Sequence, residues 1–259
     1  MRAVILAAGE GTRLRPLTAD RPKCLVELAG RPLLEWQLDS LARAGVTDVS
    51  IVTGYRADQI VHGTRRIHNP RFDVTNMVAS LMCARALFDG GDDVLVAYGD
   101  IVYDPRLVEA LAAATAPVAV AVDRAWQPLW ELRMEDPLAD AETLKIDAAG
   151  HLTELGRVPT GYADIQGQYV GLVRVRADVA PDWPRRYDAL DPVGPYEGRD
   201  RDHMFMTAFL QLLIDDGVPV AAAMVDGGWV EVDTLDDLAV YERLHGTGEL
   251  ADRVRLVGV

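Results

Sequence analysis

Strand-length apolar runs alternate with helix-length amphipathic stretches through the first half of this chain, and that rhythm constrains its fold more than any single residue. Arg2–Leu6 is a short apolar run that ends in a glycine-bearing loop. Pro32–Ala44 reads as a helix: Leu34, Leu38 and Leu41 share a face, Pro32 suits the first turn, and Gly45 suits the position just past the end. Asp48–Thr53 is a second strand, broken by Gly54. Met77–Phe88 is helical again, with Met77, Leu81, Ala84 and Phe88 on one stripe, and Asp93–Ala97 is a third strand closing on Gly99-Asp100. Pro105–Ala114 and Val118–Val122 repeat the pair. Apolar strands separated by helices of about ten residues imply an α/β chain whose mostly parallel sheet is covered on both faces.

After Asp123 the texture changes. Leu144–Asp147 and Leu152–Leu155 read as short strands around the turn Ala149-Gly150, and Gln168–Arg176 as another strand. Its end, Val173-Arg174-Val175-Arg176, alternates strictly and predicts one wet face. Pro181–Asp202 is rich in Pro, Gly, Asp and Arg and predicts a long loop over a site. Phe205–Asp216 returns to helix, Val218–Val225 and Trp229–Val232 to strand, and Thr234 with Asp237 forms a capping box for a last helix. No linker or internal repeat divides the chain.

Charge narrows the function. Lys and Arg number 26 against 40 Asp and Glu, a net charge of −14. Such a chain repels nucleic-acid phosphates and anionic membrane surfaces, so neither is an expected partner. A polyanionic substrate must be met by a few placed cations together with a divalent metal. Cys24 and Cys83 stand far apart without metal-ligand spacing, which fits a reducing cytoplasm and implies no disulfide. No apolar stretch approaches the ~18 residues of a membrane span, and the opening run is too short for a signal segment.

The loop Leu6-Ala7-Ala8-Gly9-Glu10-Gly11-Thr12-Arg13 is suited to phosphates, because glycines let backbone N–H groups approach them. It is not a dinucleotide fingerprint: the third glycine position holds Leu14. No Gly-Lys-Ser/Thr run follows, which excludes a Walker A loop. Arg13 stands within the loop and Lys23 ten residues on, two fixed cations suited to a triphosphate attacked at its α-phosphorus.

Gly9-Glu10-Gly11-Thr12-Arg13 after Leu6-Ala7-Ala8, with Pro22-Lys23 beyond, resembles the signature of nucleotidyltransferases that make nucleoside-diphosphate sugars and CDP-alcohols. The similarity runs to Leu244. It implies a Rossmann-like nucleotidyltransferase fold: one α/β domain, 1–259, with a doubly wound, mixed but mostly parallel sheet and a small additional β region. Residues 1–123 would bind the nucleotide and 124–259 the acceptor. The implied partners are a nucleoside triphosphate and a small phosphorylated acceptor, and a homodimer is left open. Arg13 and Lys23 would be catalytic. Leu6, Ala8, Gly9, Gly11, Thr12, Arg13, Asn76, Ser80 and Gly99 would bind the nucleotide. Asp100, at a strand end, and Asp233, in Glu231-Val232-Asp233, are similar to the family's metal aspartates and would hold Mg²⁺. Each also stands where an aspartate commonly caps a helix.

Within the family, Thr75-Asn76-Met77-Val78-Ala79-Ser80-Leu81 looks like the phosphocholine and phosphonate cytidylyltransferases rather than the hexose-1-phosphate thymidylyltransferases, which carry Gly-Leu-Ala-Gln there. Asn76 and Ser80, one helical turn apart, would face one base edge; Asn76 also suits the cap of the helix at Met77. Trp130 beside Glu131 would meet a quaternary ammonium by cation–π attraction, or else plug the core, and Pro128 puts the helical spacing of Trp126 and Trp130 in question. The stretches Asp136–Glu142 and Pro181–Asp202 are longer than in the short phosphocholine enzymes. Arg157 and Lys145 are the cations that would bind the acceptor phosphate. None of His62, His68, His151, His203 and His245 has metal spacing, and each reads as a surface or loop residue. A phosphomonoester, with a second pKa of about 6, needs no general base. A sugar- or cyclitol-1-phosphate nucleotidyltransferase is the alternative. A catalytically silent nucleotide-binding subunit is opposed by intact Arg13, Lys23, Asp100 and Asp233, and an NAD-dependent oxidoreductase by Leu14.

Overall fold

Ala3, Val4 and Ile5 are apolar on both faces of one strand, so that strand has to lie inside a covered sheet. The computed structural model, which describes residues 1–61 and 63–256, places it there; His62 lies outside the described residues. The seven-stranded sheet runs in the order Val220–Val225, Val118–Asp123, Gln168–Val175, Val94–Tyr98, Arg2–Ala7, Val49–Thr53, Arg65–His68. Neighbours pair in parallel except at Gln168–Val175, which runs antiparallel to both of its partners. The mixed, mostly parallel sheet expected from the sequence is therefore the observed one. Among the described residues three two-stranded sheets accompany it, including Leu144–Ile146 with Leu152–Leu155 and Ile101–Tyr103 with Trp229–Glu231.

Seven helices cover the sheet among the described residues: α1 (Leu33–Arg43), α2 (Met77–Cys83), α3 (Pro105–Ala113), α4 (Gln127–Arg133), α5 (Asp182–Ala189), α6 (Met206–Asp215) and α7 (Leu235–Thr247). Period-two strands sort the core into two layers. Ala3 and Ile5 pack with α1, α3, α4 and α7 on one face, and Val4 packs with α2, α5 and α6 on the other. Helix α7 opens on the expected capping box, Thr234 accepting from Asp237 N–H and Asp237 accepting in return. Among the described residues, no helix is long and apolar enough to cross a membrane.

Three expectations need correction. The end of Gln168–Val175 has no wet face, because Arg174 is 1% exposed. Its guanidinium is spent on backbone: Nη2 donates to the carbonyls of Ala114 at 2.6 Å and Ala116 at 2.9 Å, satisfying acceptors left over just beyond α3, while Asp93 lies 3.5 Å away. Pro181–Asp202 is not one long loop. It begins with α5, whose Trp183 and Tyr187, one turn apart, are buried; Trp183 stacks on Phe88 and meets Phe209 edge-on. Met77–Phe88 is helical only to Cys83 and then tightens into a 3₁₀ turn over Arg85–Leu87. Helix α4 also forms despite Pro128, because the proline falls in the first turn, where its missing N–H costs nothing.

Candidate active site

Three parallel strands end side by side at Ala7, Thr53 and Tyr98, the place where open α/β sheets take ligands. The segments leaving them are pressed together. Gly99 N–H donates to Leu6 C=O at 2.9 Å, and a Cβ on Gly99 would stand 2.5 Å from that same oxygen, so only glycine fits. A cavity of about 170 Å³ opens above, lined by Leu6, Ala8, Gly9, Asn76, Ser80 and Gly99 of the expected nucleotide residues, together with Lys23, Tyr98 and Asp100. Gly11 and Thr12 shape the adjoining loop rather than its wall. Gly11 is left-handed, φ +64°, and a Cβ there would come 2.8 Å from the Cβ of Lys23. The glycine lets Lys23 run close beneath the loop.

Lys23 is the meeting point. Its Nζ donates to Asp100 Oδ2 at 2.8 Å and to Asp233 Oδ1 at 2.7 Å, and Arg13 Nη1 reaches Asp233 Oδ2 at 2.5 Å. Residues 13, 23, 100 and 233, read separately along the chain, thus form one cluster. Burial alone would lower the Lys23 pKa, but Asp100, Asp233 and Glu231 more than offset it and hold the ammonium above its ordinary value. Neither aspartate is a helix cap; the cap of α7 is Thr234. Asp100 Oδ1 is buried with no hydrogen-bond partner. A buried carboxylate oxygen without a donor, on an aspartate that shares Lys23 with a second carboxylate, suits a hard divalent cation that keeps waters and substrate oxygens as its other ligands. Among the described residues no group of three or more His, Cys, Asp or Glu forms a complete protein cage.

Beyond Asp233 lies a second cavity, of about 300 Å³, whose walls include Arg13, Trp130, Asp140, Glu142, Gln168, Tyr169 and Glu231. It is acidic and aromatic. Burial, then Glu197 and Asp140, push the Glu142 carboxyl up to about 7. Glu231 is also raised, first by burial and then by Asp100 and Asp233, against the opposing pull of Arg133. Gln168 fixes Glu142 by its main chain, accepting from Glu142 N–H at 3.2 Å and donating to Glu142 C=O at 2.7 Å.

The remaining predicted residues divide. Asn76 caps α2, its side chain accepting from Met77 N–H at 2.8 Å, and still lines the first cavity, so both readings hold together. Ser80 Oγ accepts from Asn69 Nδ2 at 3.0 Å, which leaves its own proton to donate. Trp130 is 4% exposed: it packs edge-on against Trp126, donates to Asp140 at 3.1 Å and also lines the second cavity. Arg133 already stands over its ring, 5.4 Å from the centroid. Glu131, expected beside it in the site, is exposed and held by Gln127. Arg157 and Lys145 are outside the lining of both cavities and pair with Glu154. Sequence reasoning missed Asp140, Glu142 and Gln168; the one signal for the first two was the extra length of Asp136–Glu142.

Lys23 lines the first cavity and Arg13 and Asp233 the second, so the two cavities open onto one ion-paired cluster. The chain belongs to the MobA-like NTP transferase family, whose domain matches residues 3–157, and it is a nucleotidyltransferase. It is 36% identical over 250 residues to CTP:phosphoglutamine cytidylyltransferase of Campylobacter jejuni, covering 93% of this chain and 98% of that protein. It is 39% identical over 138 residues to CMP-5'-(3-aminopropyl)phosphonate synthase of Streptomyces rubellomurinus, covering 50% of this chain and 22% of that one. Among solved structures, CTP:phosphocholine cytidylyltransferase from Streptococcus pneumoniae shares the fold, with a TM-score of 0.68 at 20% identity over 94% of this chain and 98% of its own.

Proposed function

We propose that the protein transfers CMP from CTP to a small phosphorylated acceptor that carries an amino or ammonium group, releasing pyrophosphate. The observation that carries this reading is the contrast between the two cavities. One is charge-balanced, Lys23 against Asp100, with Asn76 and Ser80 in its lining, which supports base reading; the other sets Asp140, Glu142, Glu231 and Asp233 against one lining cation, Arg13, among the described residues. Phosphoglutamine, aminopropylphosphonate and phosphocholine, the acceptors in the relatives' names, each join a phosphorus anion to such a nitrogen. A neutral hexose or cyclitol brings no cation to this wall: Glu231 keeps Arg133 and Asp140 keeps Trp130, but Glu142 gains no partner, at a cost of roughly 1–3 kcal/mol.

In the transfer, an acceptor phosphate oxygen attacks the α-phosphorus in line; the new bond is P–O–P, and the bond to the β-phosphate breaks. A phosphomonoester is already mostly dianionic, with a second pKa of about 6, so no side chain has to take a proton. The protein's work is positioning and charge neutralisation. Lys23 leaves its two aspartates to hold charge at the α-phosphate. Gly11, Thr12 and Arg13 hold the departing pyrophosphate. Asp100 and Asp233 hold a divalent cation, Mg²⁺ in this reading, which neutralises phosphate charge when bound. Residues 1–123 serve the nucleotide and 124–259 the acceptor. The two free cysteines, with the Cys24 thiol pushed up to about 12 by burial, support a reduced, cytoplasmic setting.

Pyrophosphate release measured with each of the four NTPs, against phosphocholine, aminoalkylphosphonates, a phosphorylated amino acid and hexose 1-phosphates, tests the reading. CTP with an amine-bearing acceptor should be the best pair. A hexose 1-phosphate with dTTP as the best pair would refute it in favour of the sugar-nucleotide alternative.

A further inference from the structure

Helix α4 ends in Arg133, whose side chain is only 3% exposed. Its guanidinium is divided between two carboxylates. Nε and Nη2 face Asp237 at 2.9 and 3.3 Å, and Nη1 faces Glu231 at 3.1 Å. A buried ionic triad is a weak source of stability, since apolar residues of similar size commonly do as well. Its location is more informative. Asp237 Oδ2 accepts from the main-chain N–H of Asp233 at 3.0 Å and of Thr234 at 2.8 Å. Glu231 lies two residues before Asp233 on the strand paired with Ile101–Tyr103, and Val232 N–H donates to the carbonyl of Asp100 at 3.0 Å. Arg133 thus stands between Asp237, whose side chain holds the main chain at Asp233 and Thr234, and Glu231, two residues before Asp233.

We infer that Arg133 is a positioning residue that fixes the carboxylate of Asp233 for the divalent cation. The inference rests on the reading of Asp100 and Asp233 as the cation's ligands. Arg133 touches neither ligand itself: it orients Asp237, and Asp237 orients the peptide that carries Asp233. The fork geometry explains the residue type. A planar guanidinium holds Asp237 through two N–H groups and still keeps Nη1 in charge contact with Glu231, whereas a lysine ammonium, a single point of charge, serves one well. Trp130, one turn earlier on the same helix, lines the acceptor cavity and packs under the guanidinium. Helix α4 therefore sets an acceptor wall and a metal ligand from one rigid element.

The test is Mn²⁺ binding read by electron paramagnetic resonance, with and without CTP, on the full chain. In Arg133→Met the dissociation constant for Mn²⁺ should rise by about ten-fold or more, the scale seen when a partner orienting a metal ligand is removed. CTP binding without divalent cation should stay within about two-fold, because the base pocket lies on the other side of Lys23. Arg133→Lys, which keeps one contact and the charge, should fold and recover most of the Mn²⁺ affinity. If Arg133→Met strands its two carboxylates and unfolds, adding Glu231→Gln removes the one without backbone donors, while Asp237 keeps the N–H groups of Asp233 and Thr234, and the double variant should show the same weakening. Parent-like Mn²⁺ affinity in either folded Met variant, with only a lowered unfolding midpoint, would overturn the inference and leave the metal reading intact. A parent protein that binds no Mn²⁺ even with CTP would overturn both.

Discussion

The two cavities that flank Lys23 are built from different material. The first is made from the ends of neighbouring parallel strands, their loops and one helix start, all within residues 6–100, and it presents backbone, neutral polar groups and the rings of Phe72 and Tyr98 around the opposed charges of Lys23 and Asp100. The second gathers Arg13, Trp130, Asp140, Glu142, Gln168 and Asp233 from distant parts of the chain and presents carboxylates against aromatic rings. In the proposed reading a base meets fixed hydrogen-bonding groups in the first, and a charged acceptor meets opposite charge in the second, which a buried site supplies at the cost of holding carboxylates away from water. Each substitution below strikes one side of this division or the seam between them.

The seam should be the most sensitive. Lys23→Ala and Arg13→Ala are each expected to lower turnover by at least ~100-fold, the usual effect of removing one preorganised donor of charge. Arg13 is 67% exposed, so its loss should leave the unfolding midpoint nearly unchanged. Steady-state rates within a few-fold of the parent in either variant would remove these residues from the phosphate path. Next comes the aspartate pair. Asp100→Asn and Asp233→Asn should raise the Mg²⁺ concentration for half-maximal rate by about ten-fold or more. Full activity in excess chelator would dispose of the two-aspartate site altogether.

Smaller effects are expected inside the neutral cavity, on preference rather than rate. Ser80→Ala removes one hydroxyl donor from the lining of the first cavity, and Asn69, which keeps Thr75 Oγ1 at 3.0 Å, is not stranded by it. The ratio of kcat/KM for CTP over UTP should shrink by the equivalent of ~1–3 kcal/mol, while the best rate holds. An unchanged ratio would move base reading elsewhere in the pocket. Asn76→Ala should blur preference likewise, with about 1 kcal/mol of stability lost besides, because Asn76 also caps α2.

The same division decides what could be read before the fold was known. The neutral cavity was legible because its chemistry is local: a strand, its glycine loop and the Asn76–Ser80 turn each carry a short pattern whose spacing fixes direction. The acidic cavity was not, because Glu142 becomes a site residue only when Gln168, on the antiparallel strand, pins its main chain. Arg174 shows the limit in another form. Alternation gave it a wet face, but helices cover both faces of this sheet, and its charge went to the carbonyls beyond α3. In Pro181–Asp202 composition misled for a related reason: Trp183 and Tyr187 set a helical face that outweighs the polar residues around them.

The gentlest probe of the comparison is Glu142→Gln, which changes one charge in the acidic wall and almost no volume. Glu142 has its carboxyl raised to about 7 by burial, with Glu197 and Asp140 adding to the shift. Because the folded pKa lies above the unfolded one, the folded protein favours the protonated acid. That contribution to stability is complete below about pH 4.5 and is lost as pH rises through about 7. Removing the titration should therefore raise the unfolding midpoint at pH 8 and leave it nearly unchanged near pH 5. Acceptor binding should move the opposite way. At pH 8 the ionised Glu142 pairs with the acceptor's ammonium, so Glu142→Gln should raise the acceptor KM about five-fold, corresponding to ~1 kcal/mol for a pair still reached by water. Below pH 7 the parent loses this charge too, and the two proteins should converge. The acceptor phosphate also titrates, near pH 6, but it does so identically for both proteins, so the difference between their KM profiles isolates Glu142. Parallel profiles from pH 5.5 to 8.5 would mean that Glu142 does not meet the acceptor, and the acidic wall would then need another occupant.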